Sequence, residues 1–326
     1  MPPAPDPTRG GPDAPRMGLL DGGPPAVRAR VEQSWNAFLA VAETADLDTP
    51  SRLPGWRGHE VCTHLGQWDP DGVSHVLASV RGDSGAPPRP RSVDADNEAL
   101  VRRYRDASRE DVLAAVRRNR DQLLDWLASD EAAELGRVTA MSPIGPLPLL
   151  TATSASSYEL AVHALDLRPC GAAAPDPVLL RNGLAAVLDV TGHLAHRRGL
   201  SITVTATSPD GGWTVHADPD GWTVEPSTDR LSGTGVRAEL ADLVDATAGR
   251  VSVPTLLATR RMTAHDLPGF LRLAALVEDL PGLPGGAALR AASRTLGGAE
   301  SAVRGLAGLL GRGLSRLSRP HDRPHE

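Results

Sequence analysis

Two residues that commonly bind metal ions, Glu159 and His163, lie four positions apart in the segment 156–167. Apolar residues in this segment predict a helix, on which residues four apart share one face and lie about 6 Å apart along the axis. His64 lies in another apolar-patterned segment that could pack against this helix. A His/Glu/His set leaves a fourth position open for water or substrate, which is typical of a catalytic zinc site.

The Glu–His pair has a simpler interpretation as an exposed helix pair that contributes a few tenths of a kcal/mol. Leu160, Val162 and Leu165 leave little polar surface on this helix, however, and burying the pair without a partner is unfavourable. A cation would satisfy both side chains. His59 and His64 resemble a zincin motif, but five residues place them roughly 140° apart on a helix, which excludes that motif.

Other polar residues near these segments have ordinary interpretations. Asp166 follows His163 by three positions and either orients that ligand or lies at the rim of the site. His193 and His196 are predicted to complement the dipole at a helix C-terminus rather than to bind metal. Cys62 faces away from His64 and is predicted to be a small core residue.

Composition excludes several classes of function. The chain has 326 residues, a net charge of −6 and no lysine, which argues against nucleic acid as its main partner. Two cysteines are too few for a disulfide framework, and no segment has the length of a signal peptide core or a membrane span. We therefore expect a cytoplasmic protein.

Hydrophobic periodicity predicts a helical first half and a mixed second half. A loop is predicted at 141–148, and three short β-branched segments are predicted to form an antiparallel sheet. The predicted helices cover residues 25–45, a segment around 61–68, 73–80, 95–129, 150–167, 177–197, 237–248 and 265–279, and the predicted strands cover 201–207, 213–217 and 222–225.

These elements predict an α + (α+β) architecture: an N-terminal four-helix bundle over residues 25–175, then a small α+β domain over 176–280 with a leading helix. Residues 1–24 are rich in Pro and Gly and are predicted to be a disordered tail. Residues 281–326 form a Gly/Arg-rich tail. Its apolar and Arg spacing over 299–317 is typical of a helix on an anionic membrane surface, with docking onto the bundle or disorder as alternatives.

Three segments in order resemble the mycothiol-dependent maleylpyruvate isomerase family: Leu53-Pro-Gly-Trp-Arg-Gly-His-Glu-Val-Cys-Thr-His-Leu65, Tyr104-Arg-Asp-Ala-Ser108 and Glu159-Leu-Ala-Val-His-Ala-Leu-Asp-Leu167. The resemblance implies a DinB-like bundle and a sterol-carrier-protein-like C-terminal domain. It also implies zinc held by His64, Glu159 and His163. Arg250, which ends a stretch similar to one in the family, would then be catalytic, with a solvated loop arginine as the alternative.

The resemblance further implies a zinc- and mycothiol-dependent isomerase or transferase that acts on a small electrophile. A metal-bound thiol is deprotonated at neutral pH, and its thiolate can add to an activated cis double bond, permit rotation and leave. Arg250 would anchor a substrate carboxylate through a bidentate contact. The alternative is a non-catalytic protein whose α+β half carries a lipid or another apolar molecule, beside a metal-binding bundle.

Overall fold

In the computed structural model of the chain, the helices pack with their apolar faces against a shared core. The structure describes residues 15–81, 93–142, 145–227, 231, 233–266 and 269. The helices are α1 (Gly23–Thr44), α2 (Gly58–Leu65), α3 (Gly72–Arg81), α4 (Val93–Arg103), α5 (Arg109–Leu127), α6 (Asp130–Leu135), α7 (Leu149–Ser154), α8 (Ser156–Asp166), α9 (Pro177–Arg197), α10 (Leu240–Thr247) and α11 (Val253–Ala258).

A six-stranded mixed sheet forms the second layer. The strands are β1 (Arg16–Met17), β2 (Thr139–Ser142), β3 (Gly145–Pro148), β4 (Ile202–Ser208), β5 (Gly211–Asp218), β6 (Gly221–Ser227), β7 (Gly235–Ala238) and β8 (Met262–His265). The strand order in the sheet is β1-β6-β5-β4-β7-β8, with β1 parallel to β6 and β4 parallel to β7. A separate hairpin pairs β2 with β3.

Helix α9 joins the helical layer to the sheet. It packs on α1 and α8 on one side and on β5 and β6 on the other, whereas the sequence predicted it as the leading helix of the α+β domain. One cluster of buried apolar residues accordingly runs from Phe38 in α1 through Leu160 in α8 and Leu184 in α9 to Val215 in β5. The mixed helix and sheet architecture is thus confirmed, while the four-helix bundle, the sterol-carrier likeness and the boundary at 175/176 stay predictions.

Three predicted elements differ from the structure because local hydrogen bonding interrupts the apolar pattern. The helix predicted over 95–129 is two helices, since Ser108 accepts a hydrogen bond from the Asp111 backbone and caps a new helix. The helix predicted over 150–167 is interrupted at Ala155. The loop predicted at 141–148 contains the β2–β3 hairpin.

Corrections also apply near both ends of the chain. The segment 237–248 begins as β7 and becomes helical only at Leu240. Residues 15–24 of the predicted tail adopt regular structure, because β1 pairs with β6 and a short 3₁₀ helix (Gly18–Gly22) buries Leu20. The predicted helix over 265–279, apart from its first residues, and the predicted tail helix over 299–317 lie outside the described residues. Within the described part of the chain, no helix is long and apolar enough to cross a membrane.

Candidate metal centre

His64 lies in the last turn of α2, a helix that is buried along almost its whole length. At the start of the helix, the Arg57 backbone N–H donates to the Glu60 carboxylate at 2.7 Å and the Arg57 guanidinium donates to the same carboxylate. Gly58 allows close packing, because a Cβ there would lie 3.1 Å from the Leu47 Cα. The start and the packing of α2 together fix the direction in which His64 points.

Helix α8 supplies the other two side chains of the site. Gly183 in α9 lets α8 approach closely, since a Cβ at this position would lie 2.6 Å from the Ala161 Cβ. The buried face of α8 packs into the core, and Leu160 is fully buried there. Glu159 and His163 share a different face, which is turned towards α2, as their four-residue spacing predicted.

The structure brings His64, Glu159 and His163 together, and each offers one ligand atom within 4.8 Å of the other two. The His64 Nε2 lies 3.4 Å from Glu159 Oε2, and the two imidazole ring centroids are 5.2 Å apart. Among the residues that the structure describes, these three form the one group of three or more potential ligands of this kind.

Asp166 orients one of the two imidazoles. His163 Nδ1 lies 3.1 Å from Asp166 Oδ2, so we assign the Nδ1–H as the donor. That tautomer leaves the Nε2 lone pair of His163 free to bind a metal, which is the usual role of a carboxylate behind a histidine ligand. Of the two alternatives for Asp166, the structure favours ligand orientation over a place at the rim, since its side chain is fully buried.

The donor set and its spacing fit a zinc ion. Two ligand atoms about 2.0–2.1 Å from one tetrahedral zinc lie roughly 3.4 Å apart, and the His64 Nε2–Glu159 Oε2 distance is 3.4 Å. The buried Nδ1 of His64 has no hydrogen-bond partner in the described part of the chain. The pKa of Glu159 is lowered, chiefly by its interaction with His64, so this carboxylate is ionised and able to bind a cation.

The site is open on the side of the carboxylate. The Glu159 side chain is 58% exposed, whereas those of His64 and His163 are 16% and 12% exposed. The Trp56 ring flanks His64 with its centroid 5.7 Å away. Beside Glu159, burial raises the pKa of Tyr158 to about 12, so its phenol stays protonated at neutral pH. A small molecule can therefore reach the three side chains from the side of Glu159.

Arg250, the predicted catalytic residue, lies beside Asp166 and is partly buried, so it is not a solvated loop arginine. Its Nε donates to Asp166 Oδ1 at 3.1 Å and its Nη2 to Oδ2 at 3.0 Å. Burial alone would raise the pKa of Asp166, but the hydrogen bonds from His163 and Arg250 outweigh it and hold that pKa at about 2. Asp166 therefore carries a full negative charge between the histidine ligand and the arginine.

Sequence reasoning missed Arg52 and Asp245. Arg52 binds both Asp166 and Asp245, and its backbone N–H also donates to the Asp166 carbonyl at 3.0 Å. The only signal for Arg52 was its place in the segment before the Pro-Gly turn, and Asp245 carried none.

The remaining candidates do not join this group. His193 Nε2 contacts the Pro146 carbonyl at 3.1 Å, and His196 Nδ1 contacts the Asp218 carbonyl at 2.9 Å, so both bind backbone groups. Cys62 is fully buried and its thiol is free, which confirms its prediction as a core residue.

The helical layer brings two imidazoles and a carboxylate to one point with one side open, an arrangement that could hold a metal ion. Residues 28–168 match the family model described as the mycothiol maleylpyruvate isomerase N-terminal domain. This part of the chain contains all three candidate ligand residues, and it is similar to that family.

Two solved structures are also similar to the chain. The crystal structure of the mycothiol-dependent maleylpyruvate isomerase is 15% identical, with a TM-score of 0.47 and coverage of 73% of this chain and 94% of that one. A histidine-to-alanine mutant of this enzyme is 14% identical, with a TM-score of 0.47 and coverage of 76% and 95%. These likenesses are too distant to transfer an activity to this chain. A comparison with curated proteins gives no match.

Proposed function

We propose that this protein is a zinc-dependent enzyme that uses mycothiol, a low-molecular-weight thiol, to isomerise a small electrophile or to transfer the thiol to it. The observation that carries the proposal is the convergence of His64, Glu159 and His163, with one side open, inside the part of the chain that matches the model of the mycothiol maleylpyruvate isomerase N-terminal domain. The same proposal includes a catalytic role for Arg250 and a sterol-carrier-like fold for the second half of the chain.

The three ligand residues would hold the zinc, which supplies a positive charge that favours the thiolate form of a bound thiol. His163 is kept in the required tautomer by Asp166. Glu159 faces the opening, where the thiol and the electrophile would enter. Trp56 covers one side of His64 and limits the access of water.

Arg250 would bind the substrate with the part of its guanidinium that Asp166 leaves free. Nε and Nη2 donate to Asp166, whereas Nη1 makes no hydrogen bond to the described residues. Arginine binds carboxylates well through its planar donor groups. An acidic electrophile with an activated double bond therefore suits the site, since sulfur addition leaves a single bond that can rotate before the sulfur departs.

No observation within the described residues favours the alternative of a lipid carrier. Trp222 is buried and donates to Asp189, and Trp213 donates to the Arg181 carbonyl at 2.9 Å. Both indole rings thus pack against α9 instead of lining an apolar tunnel. We place the enzyme in the cytoplasm, because both cysteines are free thiols and a thiol cofactor requires reducing conditions.

Metal analysis of purified protein tests the ligands. We expect about one zinc per chain in the wild type and in the control variant His75→Ala, whose imidazole is 70% exposed. His64→Ala should lose most of the metal, because two ligands remain. Full zinc occupancy in His64→Ala would rule out the assigned ligand set.

Mycothiol binding tests whether the thiol coordinates the metal. Calorimetric titration of the zinc-loaded and the metal-free protein should give clearly tighter binding to the loaded form. Equal affinity of mycothiol for both forms would contradict thiol coordination. Assays with maleylpyruvate plus mycothiol, and a screen for thiol adducts of other electrophiles, then separate isomerase from transferase activity.

A further inference from the structure

Arg52 lies between two buried carboxylates that belong to different parts of the chain. Its Nη1 and Nη2 donate to the two oxygens of Asp245 at 2.8 and 2.6 Å. Its Nε and Nη2 also donate to Asp166 Oδ1 at 3.3 and 3.2 Å. The side chains of Asp166 and Asp245 are 0% and 7% exposed, so Arg52 neutralises charge that water cannot reach.

Asp245 in turn shapes the loop that carries Arg250. The Asp245 carbonyl accepts hydrogen bonds from the backbone N–H groups of Arg250 at 2.8 Å and Val251 at 3.3 Å. Gly249, with φ of 68°, allows the chain to turn at this point. Because of this turn, the Arg250 guanidinium points back to Asp166.

These contacts connect Arg52, Asp166, Arg250 and Asp245 in a ring beside the candidate metal site. Asp166 contacts the ligand His163, and both arginines contact Asp166. Asp245 connects the first arginine to the loop of the second. A lysine cannot replace Arg52 in this arrangement. Its ammonium group is a single point charge, whereas the two carboxylates accept hydrogen bonds from the planar guanidinium of Arg52.

We infer that Arg52 is a positioning residue for the metal centre. It holds Asp166 in the place from which Asp166 orients His163, and through Asp245 it fixes the loop of Arg250. The inference rests on the proposed function and deepens it: zinc affinity in the helical half depends on a carboxylate of α10, outside the segment that matches the family model.

Zinc affinity, measured by competition with a chromophoric chelator, tests the inference without any activity assay. Arg52→Gln should weaken zinc binding roughly 10–100-fold, as changes behind a metal ligand commonly do. The matched control is Arg261→Gln, which breaks the pair between Arg261 and the buried Asp242 on the same helix α10, away from Asp166. That control should bind zinc as the wild type does.

A double variant separates positioning from a loss of fold. Arg52→Gln leaves the Asp245 carboxylate buried without its partner, which destabilises the metal-free protein. Adding Asp245→Asn removes that charge, so urea unfolding of the metal-free double variant should recover most of the lost stability. Zinc affinity should stay low, because Asp166 still lacks Arg52. The visible spectrum of the Co²⁺-loaded single variant should also differ from that of the wild type.

Two results would overturn the inference. One is a zinc affinity of Arg52→Gln within about twofold of the wild type. The other is full recovery of zinc affinity together with stability in the double variant, which would make Arg52 a purely structural residue. If the wild type binds no zinc, the proposed function fails and the inference fails with it. If the wild type binds zinc and Arg52→Gln binds it equally well, only the inference fails.

Discussion

Replacing Asp189 by asparagine should change how the stability of the protein depends on pH. Asp189 lies on α9 and is 1% exposed. Its Oδ1 accepts hydrogen bonds from the Leu19 backbone N–H at 2.9 Å and from Trp222 Nε1 at 2.8 Å. Its Oδ2 has no hydrogen-bond partner in the part of the chain that the structure describes. Burial outweighs the two hydrogen bonds and raises the pKa of Asp189 to about 6.

The size of the effect follows from the difference in pKa between the two states. A rise from 3.8 to about 6 is about 2 pKa units, which corresponds to roughly 3 kcal/mol. The folded state holds the proton more tightly, so this stabilisation is fully present below about pH 4 and is lost as the pH rises through about 6. Asparagine carries no titrating proton. The free energy of unfolding of Asp189→Asn minus that of the wild type should therefore increase by about 2–2.5 kcal/mol between pH 4 and pH 7, because at pH 4 the unfolded aspartate is already partly ionised.

Urea unfolding followed by far-UV circular dichroism at pH 4, 5, 6 and 7 measures this difference. The control is Asp48→Asn, whose side chain is 91% exposed and whose difference from the wild type should change little with pH. Taking differences between variants removes the contribution of all other titrating groups. A difference for Asp189→Asn that stays constant within about 0.5 kcal/mol over this range would refute the reasoning.

Two further substitutions test local features of the fold. Gly18→Ala should destabilise the protein by about 2–4 kcal/mol, because φ is 61° and the new Cβ would lie 2.0 Å from Asp189 Oδ1. Gly171 has a φ of 70° but open space around it. Urea unfolding of Gly171→Ala should therefore show a smaller loss of stability, which comes from the backbone conformation alone. A smaller loss for Gly18→Ala than for Gly171→Ala would contradict the packing at residue 18. Ser108→Ala should lower the free energy of unfolding by about 1 kcal/mol, since it removes the cap that accepts from Asp111, and an unchanged urea midpoint would show that this cap contributes nothing.

Local patterns in the sequence predicted the features that depend on neighbouring residues. The pairing of Glu159 with His163 follows from helix periodicity alone, and the structure confirms that they share a face. His64 required a second helix to pack in the right place, and the resemblance of the segment 53–65 supplied that information. The break at Ser108 had a signal as well, because Ser-Arg-Glu-Asp is a capping pattern within an otherwise continuous apolar stripe.

Other features depend on contacts that no local pattern encodes. Arg52 and Asp245 are 193 residues apart, and Arg52 is one of 34 basic residues, all of them arginine. Nothing in the sequence around either residue distinguishes a buried ion pair from two exposed charges. The structure of the segment 15–22 could not be predicted for the same reason. Its Pro and Gly content indicates disorder, but Gly18 packs against Asp189 and Trp222.

The pairing of β1 with β6 has a consequence for biosynthesis. Gly221 and Trp222, the partners of Arg16 and Met17, are translated more than 200 positions after them. At 5–20 residues per second, this interval is roughly 10–40 s. During that time β6 does not exist, so Arg16 and Met17 have no strand with which to pair. The nascent protein can therefore form this edge of the sheet only after β6 has emerged, before β7 and β8 complete the opposite edge.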